Sequence, residues 1–142
     1  GYDAIRFKVG DSKFREIRTV EKPEVGVEVN VEEILQVGDI VTVSGQTKGK
    51  GFAGAVKRHG FRGGPRTHGQ SDRERAPGSS GSTTTPGRVL RGKRRAGHMG
   101  NVKVTIGGLR VMAVNPKTQH ITVAGSVPGA NKYTLLTVKK KA

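Results

Sequence analysis

Between Lys57 and Arg88 the chain offers a single large apolar side chain, Phe61. Fixing one residue's backbone costs about 1–2 kcal/mol. Burying one Phe contributes only about 1.5–3 kcal/mol. Phe61 can therefore offset the ordering of about one to three of these 32 residues and no more. The stretch is unordered by itself or ordered by something outside it.

Charge points to what that something is. The chain carries 26 Lys/Arg against 11 acidic residues, a formal net charge of +15, and the excess is concentrated. Residues 46–103 hold 14 Lys/Arg against Asp72 and Glu74, a net +12, whereas the other 84 residues net +3. A core-less segment this basic calls for a polyanion, either nucleic acid or an anionic membrane surface. No apolar run approaches the roughly 20 residues that span a bilayer. The opening residues GYDAIRFKVGDSK contain no signal-peptide apolar region, and no initiating Met precedes them, as in a processed or incomplete chain. With no cysteine, disulfides, zinc–thiolate sites and thiol catalysis are excluded.

The flanks read as β-structure. AIRFKV (4–9) and FREIRTV (14–20) alternate apolar and polar residues, and VGVEVNV (25–31) sets four valines on one face. DIVTVSG (39–45), VKVTI (102–106), LRVMAV (109–114), HITVAGSV (120–127) and YTLLTVK (133–139) complete the set. Gly107-Gly108 and Asn115-Pro116 stand where hairpin turns belong, and VEEILQ (31–36) suits one helical turn. The expectation is a mainly β protein, a small antiparallel β-barrel or sandwich. It is discontinuous, residues 1–45 and 104–142, with 46–103 inserted between two strands as a long irregular basic extension. Each half of that extension reaches at most roughly 95 Å when fully stretched.

Within the extension, TKGKGFAGAVKRHGFRGG and PGRVLRGKRRAGHMGN interleave Gly with cations. Glycine lets backbone amides approach phosphates, and the planar fork of Arg binds phosphate or base edges. The candidate RNA-binding residues are Lys48, Lys50, Lys57, Arg58, His59, Arg62, Arg66, His68, Arg73, Arg75, Arg88, Arg91, Lys93, Arg94, Arg95 and His98. Phe52 and Phe61 are candidate stacking platforms, though Phe52 and Val56 equally suit packing at the root of the extension. Aromatics are only 4% of the chain and Trp is absent, which favours shape and phosphate recognition over general single-strand stacking. GQTKGKG (45–51) lacks the spacing and the Ser/Thr of a phosphate-binding P-loop. His59, His68 and His98 match no compact metal-ligand spacing, so no metal and no cofactor are expected. A Ser-His-Asp set picked from a core-less segment lacks preorganised geometry.

At these residues a resemblance enters. VGDIVTVSGQTKGKGFAGAVKRHGFRGGPRTHG, then PGSSGSTTTPGRVLRGKRRAGHMGN and SVPGANKYTLLTVKK, resemble the bacterial or organellar L-three family of large-subunit ribosomal proteins over roughly residues 37–142. The motifs that carry it (GxTKGKGFAG, THG, TPGRVxxGKxxAGHMGN, VPG) are long and specific, and GYDAI resembles a further family strand. The resemblance implies a translation-protein-type β-barrel carrying a long extension. It implies binding to large-subunit ribosomal RNA early in assembly, with the extension running toward the peptidyl-transferase region without catalysing anything. Its tip would fall near residues 66–87. RNA contacts carried over by the match are Lys48, Lys50, Lys57, Arg58, His59, Arg62, His68, Arg88, Lys93 and His98. Implied partners are that RNA and neighbouring large-subunit proteins, with no membrane and no small-molecule substrate. The implied location is the cytoplasmic ribosome of a bacterium, or an organellar one.

The chain departs from the family pattern in lacking the usual opening strand and in being short between Val9 and Phe14. Where some members carry a methylated glutamine this chain has Thr84, so that modification is not expected. Two other classes stand beside the ribosomal reading. A free-standing nucleic-acid module would lose most of its affinity as salt rises. A nucleic-acid enzyme would need a carboxylate or metal cluster, for which Asp72 and Glu74, flanked by Arg73 and Arg75, are poor material.

Overall fold

The structure, a computed structural model, describes residues 2–9, 13–19, 26–130 and 134–141. It is mainly β and its sheets are antiparallel. The principal sheet contains β3 (Ile40–Gln46), β6 (Lys103–Asn115), β7 (His120–Val123) and β8 (Thr137–Lys140), in the order β7-β6-β3-β8. A separate hairpin pairs β1 (Ala4–Val9) with β2 (Lys13–Arg18). A two-residue pair joins β4 (Phe52–Ala53) to β5 (Gly97–His98). Two short helices, α1 (Val31–Ile34) and α2 (Ala55–His59), complete the elements among the described residues.

The core lies on one face of the principal sheet. Val41 and Val43 of β3 meet Leu109 and Val111 of β6, and Leu35 closes over them from the turn after α1. Ile106, Val114, Ile121, Val123 and Leu136 pack around this cluster. Strand geometry makes the side chains of β3 alternate, so Ser44 faces outward and shares a hydrogen bond of 2.8 Å with its cross-strand partner Thr105.

β6 departs from the sequence expectation informatively. Residues 102–106 and 109–114 alternate out of phase, and Gly107-Gly108 reads as a hairpin turn between two strands. The chain instead runs straight through as one strand of 13 residues. Val41 pairs with Leu109 and Val43 with Ile106, so Thr42 opposes both glycines. This is a β-bulge, with Gly108 at φ +77°. The extra residue switches parity, so even-numbered Val104 and Ile106 and odd-numbered Leu109 and Val111 all turn to the core. A second register shift, between Val111 and Ala113 against β7, returns Val114 to the inner face. Phase breaks that look like a turn are two bulges.

Two further expectations change. The described strands do not close into a barrel, because β7 and β8 each pair on one side only and β1–β2 pairs only with itself. Closure requires the first and last strands to meet. Four strands offset by some 20–25° each form only an open twisted sheet. Within the expected strand 25–31, Val25 lies outside the described residues. Val27 and Val29 are exposed and unpaired, and Val31 begins α1. Alternation supplied a face there, but the described residues supply no neighbouring strand to complete it. The Tyr133 end of the expected last strand also falls outside the described residues, and β8 forms at Thr137.

The sheet is tied at its lower edge by Asp39. Its Oδ2 accepts from the Gln36 N–H at 2.9 Å and lies 2.8 Å from Lys140 Nζ on β8. The Lys140 ammonium first, and the Gln36 amide second, hold this carboxyl below the usual carboxylate range. In the β1–β2 hairpin, Arg6 lies 4.3 Å over the Phe14 ring and Arg18 4.3 Å over Tyr2. Such cation–π contacts shelter rings that no second sheet covers.

Candidate nucleic-acid interface

The segment 46–103 leaves from β3 and returns into β6, whose ends face each other as Gln46 and Lys103. Pairing does not stop there. Gln46 Nε2 donates to Asn101 Oδ1 at 2.7 Å, and the Thr47 N–H donates to the Val102 carbonyl at 2.9 Å. The Lys50 N–H donates to Met99 O, and the Met99 N–H to Gly51 O, each at 2.9 Å. β4 and β5 then set Phe52 opposite His98 and Ala53 opposite Gly97. The two arms thus form a ribbon from Gln46 to Ala53. Ala53 and Ala55 are buried there. Side chains this small let the arms lie close, but their weak apolar signal hid them in the sequence.

Phe52 does not pack at this root. It is 80% exposed, beside His98, while Val56 is half-buried. Packing explains Val56 and leaves Phe52 free for something outside the chain.

Beyond the ribbon, α2 ends at Gly60, whose left-handed conformation (φ +71°) lets its N–H reach the Val56 carbonyl at 3.0 Å. The last turn of α2 carries Lys57, Arg58 and His59. Arg58 Nη1 donates to the Arg95 carbonyl at 2.8 Å. His59 Nε2 lies 3.0 Å from the same oxygen, and since a carbonyl only accepts, Nε2 carries the proton. Arg58 and His59 therefore clip the outgoing arm to the returning arm rather than reaching out freely. The guanidinium of Arg95 donates in turn to Ser80 Oγ.

The glycines divide between two uses. A Cβ on Gly100 would strike the Lys48 carbonyl, and one on Gly63 would strike the Glu74 carbonyl. Those glycines let the protein approach itself. Gly51, Gly54, Gly69 and Gly92 face open space and suit the close approach of a phosphate. Glu74 also binds the Arg66 Nε at 2.6 Å, which offsets part of that cation's charge.

The remaining candidates, Lys48, Lys50, Lys57, Arg62, His68, Arg73, Arg75, Arg88, Arg91, Lys93, Arg94 and His98, are exposed, as are Arg58, Arg66 and Arg95, while His59 is half-buried. The structure brings Arg58 and His59 onto the Arg95 carbonyl, sets Lys93 and Arg94 beside Arg95 around one cavity, and leaves most of the others apart along the segment. No group of three or more His, Cys, Asp or Glu among the described residues is placed to hold a metal ion. No helix among them is long and apolar enough to cross a membrane.

The family model described as Ribosomal protein L3 matches residues 12–133. The large ribosomal subunit protein uL3 of Persephonella marina is 50% identical over 112 residues, covering 79% of this chain and 49% of that protein. The protein of the same name from Acinetobacter baumannii (strain ATCC 17978) is 47% identical over 111 residues, 78% of this chain and 52% of its own length. That of Streptococcus mutans is 48% identical over 122 residues, 86% and 57% respectively. The chain spans about half the length of the curated relatives it matches.

Proposed function

Because the chain belongs to the ribosomal protein L3 family, we propose that it is a structural constituent of the large ribosomal subunit rather than an enzyme, and that it binds large-subunit ribosomal RNA through residues 46–103. The observation that carries this reading is the exposure of nearly every cation in a segment with net charge +12 and almost no core. Phosphate neutralisation supplies the affinity, because each contacted phosphate releases condensed counterions. The β-rich part, within residues 1–45 and 104–142, is the folded anchor, and 46–103 is the extension that becomes fully ordered as it meets RNA. Its path leads toward the peptidyl-transferase region, where it buttresses RNA without chemistry of its own. Binding early in assembly follows from a segment that must be in place before RNA helices close around it.

Surface apolar residues support partners of a second kind. Tyr2, Phe14 and Ile17 of the hairpin and Val37 and Ile40 around the start of β3 are exposed, a load that neighbouring large-subunit proteins or RNA would cover. In a bacterium the ribosome, and with it this protein, is cytoplasmic; an organellar ribosome would serve the same chemistry.

The test is sedimentation of tagged chain from a cell extract through a sucrose gradient at high salt. Co-migration with large subunits and their precursors is the expected result. Protein stripped to the top of the gradient by salt would overturn this reading in favour of a free-standing nucleic-acid module.

A further inference from the structure

Phe61 is the one large apolar side chain between Lys57 and Arg88, and the fold neither buries nor wastes it. The ring is half-buried and lies 5.8 Å, centroid to centroid, from that of His59. It lines a cavity of about 420 Å³ whose other walls include Ser79, Ser80, Lys93, Arg94 and Arg95. That volume lies within the roughly 300–1,000 Å³ typical of small-ligand sites. No acidic residue lines it.

Part of the wall is held before any ligand arrives. Arg95 is fixed at both ends, its carbonyl by Arg58 and His59 and its guanidinium by Ser80. His59 joins the two sides, touching Arg95 through Nε2 and Phe61 through its ring. One apolar ring, two serine hydroxyls and three consecutive cations make an unusual set. A flat apolar surface suits the face of a base. Lys93 and the two arginines suit a phosphate. Serine hydroxyls suit base edges or ribose oxygens. An acidic peptide would use the cations and leave the ring idle. A paired RNA helix would meet the cations and keep its bases stacked away from the ring.

Resting on the RNA-binding reading above, we propose that this cavity seats one unstacked nucleotide of the ribosomal RNA, its base against Phe61 and its phosphate held by Lys93, Arg94 and Arg95. The segment then recognises a particular RNA feature, an extruded residue, in addition to the phosphate backbone along its length. The recognition is local: Phe52, exposed on the ribbon, is not part of this cavity.

The experiment uses the full chain and purified bacterial large-subunit ribosomal RNA. Ultraviolet irradiation of the complex, followed by mass spectrometry, locates zero-length crosslinks. A single nucleotide joined at Phe61, or to the peptide that carries it, is expected. In parallel, Phe61→Leu should raise Kd roughly 5- to 150-fold, the range that loss of one base–aromatic stack produces. Phe61→Trp should restore binding, which a role in packing alone would not predict for so much larger a ring. Crosslinks confined to other segments, or Phe61→Leu binding within about twofold of wild type, would overturn the proposal while leaving RNA binding intact. Failure of the wild-type chain to bind this RNA in preference to an unrelated RNA would instead remove the reading on which it rests.

Discussion

Arg58 and Arg94 carry the same charge and both are exposed, yet the fold uses them differently, and one experiment separates the two uses. Arg58 donates to the Arg95 carbonyl and so clips the arms of the segment together. The guanidinium of Arg94 makes no hydrogen bond or ion pair among the described residues and lines the cavity beside Phe61. Arg58→Lys keeps the charge and loses the planar fork. A hydrogen bond from a charged donor contributes about 1.5–3 kcal/mol when sheltered. Arg58 is exposed, so about 1 kcal/mol is the appropriate figure. RNA must then impose the clip itself, which weakens binding about fivefold at every salt concentration. Arg94→Ala removes a charge. If one phosphate contact is lost, the slope of log K against log salt becomes shallower by about 0.9. Over a rise from roughly 50 to 200 mM salt that single contact changes the loss of affinity by about 3.5-fold. Filter binding of the full chain to large-subunit ribosomal RNA across a salt series reads both effects. Arg58→Lys should give a line parallel to wild type and displaced below it; Arg94→Ala should give a tilted one. An Arg58→Lys line superimposed on wild type, together with a tilted Arg58→Ala line, would refute the clip and restore Arg58 as an ordinary phosphate contact.

Val111 is fully buried at the centre of the core, so Val111→Ala should cost about 2 kcal/mol, from two lost methyls and the cavity left behind, and lower the urea midpoint accordingly. Gly100→Ala forces a left-handed alanine (φ +76° in the native chain) against the Lys48 carbonyl. At about 1–2 kcal/mol for the conformation alone, it should open the ribbon, seen as faster hydrogen exchange at Lys50 and Met99 while Leu109 and Val111 stay protected. Asp39, held below its usual pKa by Lys140, releases its proton more readily in the folded than in the unfolded chain. Its contribution is therefore complete above the ordinary carboxylate range and is lost as pH falls through the lowered value. Asp39→Asn should lower the urea midpoint near neutrality, and the gap from wild type should shrink as pH drops from about 5 towards 2. A gap independent of pH would show that the carboxylate charge is not what ties β8 to the turn.

Charge and hydropathy act locally, and what they decide was legible in the chain itself. The concentration of +12 in 46–103, the lack of a core from Lys57 to Arg88, and the strands β1, β3 and β7 follow from which residues stand next to which. So does the ribosomal family, whose motifs are long runs of adjacent residues. What required the fold was every question about distant partners. Gly107-Gly108 is a turn or a bulge depending on whether Val41 and Val43 stand opposite, and only their presence makes it a bulge. Val27 and Val29 have the pattern of a strand and no neighbour to pair with among the described residues. Gly63 and Gly100 look like phosphate-binding glycines until Glu74 and Lys48 are found beside them. Arg58 and His59 read as RNA contacts by charge; that each also binds the Arg95 carbonyl, 37 and 36 residues away, shows only in the fold. A sequence fixes each residue's charge, size and local period. Which donor meets which acceptor depends on loop closure between residues far apart in the chain, and that is settled only when the chain has folded.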